Sequence, residues 1–261
     1  MQIIIISVIL VSLLAFIIGI FLCISSEVFK VKIDEKVLKI RDCLPGNNCG
    51  GCGYAGCDAL ADAISKGMAT INQCPVGGTQ VAAKIGKIMG KSASEEVKKV
   101  AFIHCNGTCV NAKKLYEYNG VKDCRIVATM PNCGEKQCSN ACIGYGNCIN
   151  SCKFNAINII DGVAKVDEDK CVACGQCINA CPMKIIELVP YKKKHLVQCS
   201  NKDKGKTAIE ACNVSCIGCG ICQKTCTKDS IKVIDNLAIM TYDSCNDCGD
   251  CSKKCPRKCI S

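Results

Sequence analysis

Four cysteine thiolates gathered round one point bind metal, and the spacing between them narrows down which metal. The run Cys171-x2-Cys174-x2-Cys177-x3-Cys181-Pro182 has the spacing of a bacterial ferredoxin, and Cys245-x2-Cys248-x2-Cys251-x3-Cys255-Pro256 repeats it. Cys216-x2-Cys219-x2-Cys222-x3-Cys226 keeps the spacing with Thr227 in place of proline. A fourth run is looser: Cys138-x3-Cys142-x5-Cys148-x3-Cys152, then Lys153. A different pattern lies upstream, Cys49-x2-Cys52-x4-Cys57-x16-Cys74-Pro75. These are ligand sets for [4Fe–4S] clusters, whose chemistry is the uptake and release of single electrons.

The ferredoxin runs come in pairs. Cys171 follows Cys152 at the same interval as Cys245 follows Cys226. Between the members of each pair lie Ala156–Val166, with Asp161-Gly162 at its centre, and Ser230–Met240, with Asp235-Asn236. Both read as β-hairpins with a tight turn, so the chain duplicates a two-cluster ferredoxin. In such modules the fourth cysteine of each run ligates the other cluster. One cluster is therefore expected on Cys138, Cys142, Cys148 and Cys181, with Cys133 competing for the first place. Its partner takes Cys171, Cys174, Cys177 and Cys152. The second module takes Cys216, Cys219, Cys222 and Cys255, and then Cys245, Cys248, Cys251 and Cys226.

Around Cys49–Cys74 the glycines let backbone N–H groups face an inorganic core, and Asp58–Lys66 reads as a helix stopped by Gly67. Structural zinc also uses four cysteines, but the unequal x4 spacing favours iron–sulfur. The cysteines left over are Cys23, Cys43, Cys105, Cys109, Cys124, Cys133, Cys199, Cys212 and Cys259. Cys105 and Cys124 precede the first ferredoxin module as Cys199 and Cys212 precede the second. Those four suggest a sixth cluster or a zinc site, against the plainer reading as inert buried thiols. The two histidines, His104 and His195, read as surface residues rather than ligands.

The rest of the composition fits this reading. There are 29 cysteines and no Trp among 261 residues, too few large side chains for an ordinary core, so metal centres must hold the fold. The formal charge of +10 counts cysteines as neutral. Five clusters at about −2 each, from four thiolates on a core of about +2, would cancel it. With no aromatic-rich basic segment, no nucleic-acid partner is expected.

Met1–Ile24 carries no charge, and about twenty apolar residues span the roughly 30 Å of a bilayer core. A signal peptide would have a basic start and a small-residue cleavage site, which are absent here. Lys30, Lys32, Lys36 and Arg41 follow the apolar run, which puts the cysteine-rich body on the cytoplasmic side. Thiols stay reduced there, which favours metal over disulfides.

The run Asn47-Asn-Cys-Gly-Gly-Cys-Gly-Tyr-Ala-Gly-Cys57-Asp-Ala-Leu-Ala-Asp-Ala-Ile-Ser-Lys-Gly67, followed by Asn72-Gln-Cys-Pro-Val-Gly-Gly78, resembles the four-cysteine domain of the Rnf complex B subunit. The preceding uncharged helix strengthens that likeness. Nearly the whole chain shares it, although the short form of that subunit carries one pair of ferredoxin runs and this chain has two. The resemblance implies a subunit of an ion-translocating ferredoxin:NAD oxidoreductase in the cell membrane. It would work beside other Rnf membrane subunits and accept electrons from soluble ferredoxin for NAD reduction coupled to Na⁺ or H⁺ movement.

The expected fold class is α+β, in order: a transmembrane anchor at 1–26, the four-cysteine domain at 27–90 and a connecting region at 91–137. Ferredoxin module 1 follows at 138–190, then a linker at 191–215 and module 2 at 216–261. The expected cofactor content is five [4Fe–4S] clusters, with the sixth left open. No nucleophile–base pair, phosphate loop or dinucleotide motif appears, so no catalytic residue is expected in this chain. Tyr191-Lys-Lys-Lys-His195 reads equally as a docking site for an acidic carrier or as a solvated loop. The rival functions are an anchored polyferredoxin of a hydrogenase or other respiratory complex, and a zinc scaffold without redox chemistry.

Overall fold

The computed structural model describes residues 2–29, 34–92 and 97–261. Helix α1 spans Gln2–Val28, a 27-residue helix rising about 40 Å. None of its apolar span, Ile4–Glu27, is buried against the rest of the chain. A soluble core helix would be covered, so this one needs another apolar surface.

The four-cysteine domain is built on α2 (Glu35–Cys43), α3 (Cys57–Ser65) and α4 (Gly78–Met89). Asp34 caps α2 by accepting the Lys36 N–H at 2.9 Å. As expected, Gly67 ends α3: at φ +72° it lets its own N–H and that of Met68 turn back to the carbonyls of Ile64 and Ala63. Ile40, Leu60, Ile64 and Ile85 are almost wholly buried between the three helices. Each contributes about 2 kcal/mol of burial. This core is separate from that of the ferredoxin body.

Both hairpins form. Strand β2 (Ile157–Ile160) pairs with β3 (Val163–Val166), and β5 (Ile231–Ile234) with β6 (Leu237–Met240). Asp161 and Gly162, like Asp235 and Asn236, all have positive φ, which matches the turn to the twist of the strands. The connecting region also yields a strand. Here β1 (Lys99–Ile103) pairs antiparallel with β4 (Ile186–Pro190), Lys99 facing Pro190 and Ile103 facing Ile186. The linker does the same for module 2: Leu196 and Gln198 bond the backbone of Ser261 and Cys259. One apolar core runs from Val100 to Ile260, so the connecting region and linker are structural parts of the two modules. Their alternation of apolar residues is too short to have marked them as strands.

Candidate metal centres

Four one-turn helices carry the third cysteine of each ferredoxin run: α6 (Asn147–Asn150), α7 (Gln176–Ala180), α9 (Ile221–Thr225) and α10 (Asp250–Lys254). Each begins after a left-handed glycine, Gly146, Gly175, Gly220 or Gly249, with φ between 73° and 82°. That reversal wraps the preceding loop round a point, the task for which glycine suits. Two further short helices complete the site: α5 (Cys124–Val127) and α8 (Gly205–Ala211).

The cysteines gather into six sets. Cys49, Cys52, Cys57 and Cys74 line one pocket. Cys177 lies within electrostatic reach of Cys171, Cys174 and Cys152. Cys216, Cys219, Cys222 and Cys255 share one pocket, and Cys226, Cys245, Cys248 and Cys251 another. In both modules the fourth cysteine of a run thus joins the other run's set.

The remaining two sets differ from expectation. Cys124, Cys142, Cys148 and Cys181 line one pocket. Cys105, Cys138, Cys199 and Cys212 line another. Cys124 and Cys138 have therefore exchanged places relative to the sequence reading, and Cys133 belongs to neither set. The cause is local. Asn147 accepts the Cys124 N–H at 2.8 Å, and its amide donates to Asp123 at 3.0 Å, pinning Cys124 beside Cys148. The same amide bond holds the Asp123 carboxyl below the usual carboxylate range. Cys138 instead faces Cys105, Cys199 and Cys212, whose sulfurs also bear on it electrostatically.

The donor chemistry suits polynuclear iron. Four cysteine sulfurs ringing one pocket, with backbone N–H groups turned on them, match the ligand set of a [4Fe–4S] core. Burial pushes the thiols of Cys138, Cys148 and Cys177 up to about 12, and that of Cys199 to about 11, with neighbouring thiols adding to the effect. On their own these groups therefore stay protonated, and a cationic core in their midst would be what holds them as thiolates. Backbone N–H groups already point at the sulfurs: Ala101 on Cys171 at 3.3 Å, Cys142 on Cys105 at 3.4 Å and Cys216 on Cys199 at 3.2 Å.

Of the other thiols, Cys23 and Cys109 are exposed, and Cys43 and Cys133 half-buried. Cys259 is buried with its sulfur 3.6 Å from that of Cys255. Its thiol hydrogen-bonds to Cys216 and Cys255, lowering both and rising itself. The histidines are fastened rather than free. His104 Nδ1 lies 2.7 Å from the Val197 carbonyl and its Nε2 3.1 Å from Glu187. His195 bonds Asp247, which also accepts the N–H groups of Lys194 and His195 at 3.0 Å.

Comparison with known proteins gives the family. A family model for an Fe-S cluster matches residues 44–76, and one for a 4Fe-4S binding domain matches residues 164–187. The B subunit of the Na(+)-translocating ferredoxin:NAD(+) oxidoreductase complex of Acetobacterium woodii is 47% identical over 244 residues, 93% of this chain and 73% of the relative. The chain belongs to that B-subunit family. The B subunit of the ion-translocating oxidoreductase complex of Methanosarcina acetivorans is 39% identical, covering 95% of this chain and 94% of the relative. Its counterpart in the proton-translocating ferredoxin:NAD(+) oxidoreductase complex of Clostridium ljungdahlii is 36% identical, covering 94% and 87%. As an Rnf-type B subunit, the chain is an iron–sulfur electron-transfer protein associated with a membrane complex.

Proposed function

We propose that this B subunit holds six [4Fe–4S] clusters, one on each cysteine set. It accepts electrons from reduced soluble ferredoxin and passes them to the other subunits of an Rnf-type complex for NAD reduction coupled to Na⁺ or H⁺ translocation. The observation that carries this is the sixth set, which joins the two ferredoxin modules. Cys105 accepts the N–H of Cys142, a member of a module 1 set, and Cys199 accepts that of Cys216 in module 2.

The sets adjoin in a row. The Gln176 amide donates to the Cys49 carbonyl, and a side chain at Gly51 would lie 2.6 Å from the Cys174 carbonyl oxygen. The four-cysteine domain is thereby held against the Cys171 set. From there the row runs through the Cys142, Cys105 and Cys216 sets to the Cys245 set. When bound, each [4Fe–4S] centre takes up and gives back one electron at a time. The chain's own part is to space the centres, satisfy their sulfurs with N–H donors and shut out water. Lys192 and Lys194, exposed beside the Cys245 set, offer an acidic ferredoxin a docking face.

Helix α1 crosses the membrane once, and Lys36 and Arg41 keep the body on the cytoplasmic side. Lys30 and Lys32, which support the same orientation, lie outside the described residues. Two measurements test the proposal on the full-length chain. Anaerobically purified protein should hold about twenty-four irons, four for each set, and about twenty would remove the sixth centre. Stoichiometric zinc without broad visible absorption would overturn the redox reading. Protease added outside sealed right-side-out vesicles should leave the C-terminal region intact, and its digestion would reverse the topology.

A further inference from the structure

Among the described residues, two buried side-chain N–H groups have no acceptor within the protein, Asn201 Nδ2 and Arg257 Nε. Their residues line the pockets of two different cysteine sets. Asn201 is 1% exposed and lines the cavity of Cys105, Cys138, Cys199 and Cys212. Its orientation is fixed, because Oδ1 accepts the Asp203 N–H at 3.0 Å and its own backbone N–H bonds the Cys199 sulfur at 3.4 Å. The unpartnered edge of the amide is therefore the donor edge. Arg257 lines the cavity of Cys216, Cys219, Cys222 and Cys255. Its Nη2 donates to the Cys212 carbonyl at 2.9 Å, which sets the guanidinium between the two cavities.

A buried donor left without an acceptor is costly, so such groups are retained where a partner arrives. Here the partners would be the sulfurs of the two centres. Donors to those sulfurs favour the reduced state, which carries one more negative charge, and so raise the reduction potential. Elsewhere, in the four-cysteine domain and at the Cys171 and Cys245 sets, the donors to sulfur include backbone N–H groups from Gly77, Ala101 and Asp247, and at Cys226 the backbone and hydroxyl of Ser230.

We propose that Asn201 raises the reduction potential of the centre on Cys105, Cys138, Cys199 and Cys212, and Arg257 that of the centre on Cys216, Cys219, Cys222 and Cys255. The fourth and fifth centres of the row, counted from the four-cysteine domain, are then where an electron comes to rest between arrival and departure. This rests on the six-centre reading given above.

The test is a redox titration of the full-length, membrane-purified chain followed by magnetic resonance, with iron measured on the same samples. Asn201→Leu keeps the volume and removes the donor. At a fixed poise it should lower the ratio of reduced to oxidised centre for one signal at least tenfold, which is 59 mV for one electron. Arg257→Met should lower a different signal by a similar factor, and Arg257→Lys, which keeps the charge, should lower it less. Iron should stay at the wild-type level throughout. Unmoved midpoints at full iron overturn the proposal, as does movement of one common signal by both variants. Loss of about four irons in both Asn201→Leu and Asn201→Gln would make Asn201 a structural residue and also overturn it. Wild-type protein with only about twenty irons would instead defeat the six-centre reading and the Asn201 half with it, while the Arg257 arm would still read independently.

Discussion

The two ferredoxin modules fold one loop in the same way round different side chains. In module 2 the loop is Ile217-Gly218-Cys219-Gly220-Ile221-Cys222, and in module 1 it is Ile143-Gly144-Tyr145-Gly146-Asn147-Cys148. All four glycines have positive φ, and both second glycines open the one-turn helix that carries the next cysteine. Both first glycines press against the turn of the following hairpin: a side chain would meet the Gly162 carbonyl oxygen at 2.6 Å in module 1 and Asn236 at 2.9 Å in module 2. Tyr145 thus occupies the place of Cys219, and its hydroxyl turns away to Glu135 at 2.7 Å. Cys124 enters from another stretch of chain to line the same cavity. What the repeat preserves is the backbone path, and a thiol can reach its end from outside the loop.

The sharpest way to break this comparison is to move the thiol back. Cys124→Ala should cost the full-length chain one centre, about four irons, while Cys133→Ala leaves the iron content unchanged. Adding Tyr145→Cys to Cys124→Ala should restore most of that iron, since the loop already has the path of its module 2 counterpart. Cys138→Ala should also remove about four irons, but from a different centre. Magnetic resonance of the two single variants should therefore lose different signals. Loss of the same signal in both would return Cys138 to the module 1 set.

The sequence revealed whatever is encoded by near neighbours. Three regular cysteine runs, both Asp-turn hairpins and the Gly67 stop of α3 follow from spacing, and all appear in the structure. The exchange of Cys124 with Cys138 was hidden because it depends on Asn147 gripping a residue distant in sequence. Counting cysteines favoured Cys138, which keeps an approximate ferredoxin interval. Aligning Gly-x-Gly with Gly-x-Gly would have shown a missing middle thiol and sent the search elsewhere. The pairing of β1 with β4, and of 196–198 with 259–261, was equally out of reach, since each closes a whole module between its strands.

A smaller effect tests whether the shared path depends on the shared glycines. Gly144→Ala faces two costs, a left-handed φ of 90° and a carbonyl oxygen of the hairpin turn only 2.6 Å from the new carbon. Together these should destabilise module 1 by about 2–4 kcal/mol, read as faster iron release in urea. Gly53→Ala is the control. Its φ is 86°, yet nothing lies within 4 Å of the new carbon, so only the conformational cost of about 1–2 kcal/mol remains. Equal effects at the two positions would mean that contact between loop and hairpin does not matter to the fold.

The smallest difference between the modules lies in the hairpin turns, Asp161-Gly162 against Asp235-Asn236. Both second positions are left-handed, at φ 76° and 62°. Asparagine tolerates that region better than other side-chain-bearing residues, and Asn236 adds a bond from its amide to the Lys202 carbonyl at 3.1 Å. Asn236→Gly relieves the remaining strain but loses that exposed bond and frees the unfolded chain. The terms nearly cancel, so stability should change by no more than about 0.5 kcal/mol. Gly162→Asn should not be neutral. The new carbon would sit 2.8 Å from the Cys109 sulfur, and the Gly162 carbonyl, which accepts from Lys136 at 2.9 Å, would have to keep its place. Cys109 is exposed and can rotate away, which limits the cost to about 1 kcal/mol. Urea titrations of the two reciprocal variants should therefore differ, with the module 1 change the larger. If Asn236→Gly proved the more damaging, the Lys202 contact would be holding the second hairpin in place, and the two turns would not be interchangeable parts of one repeat.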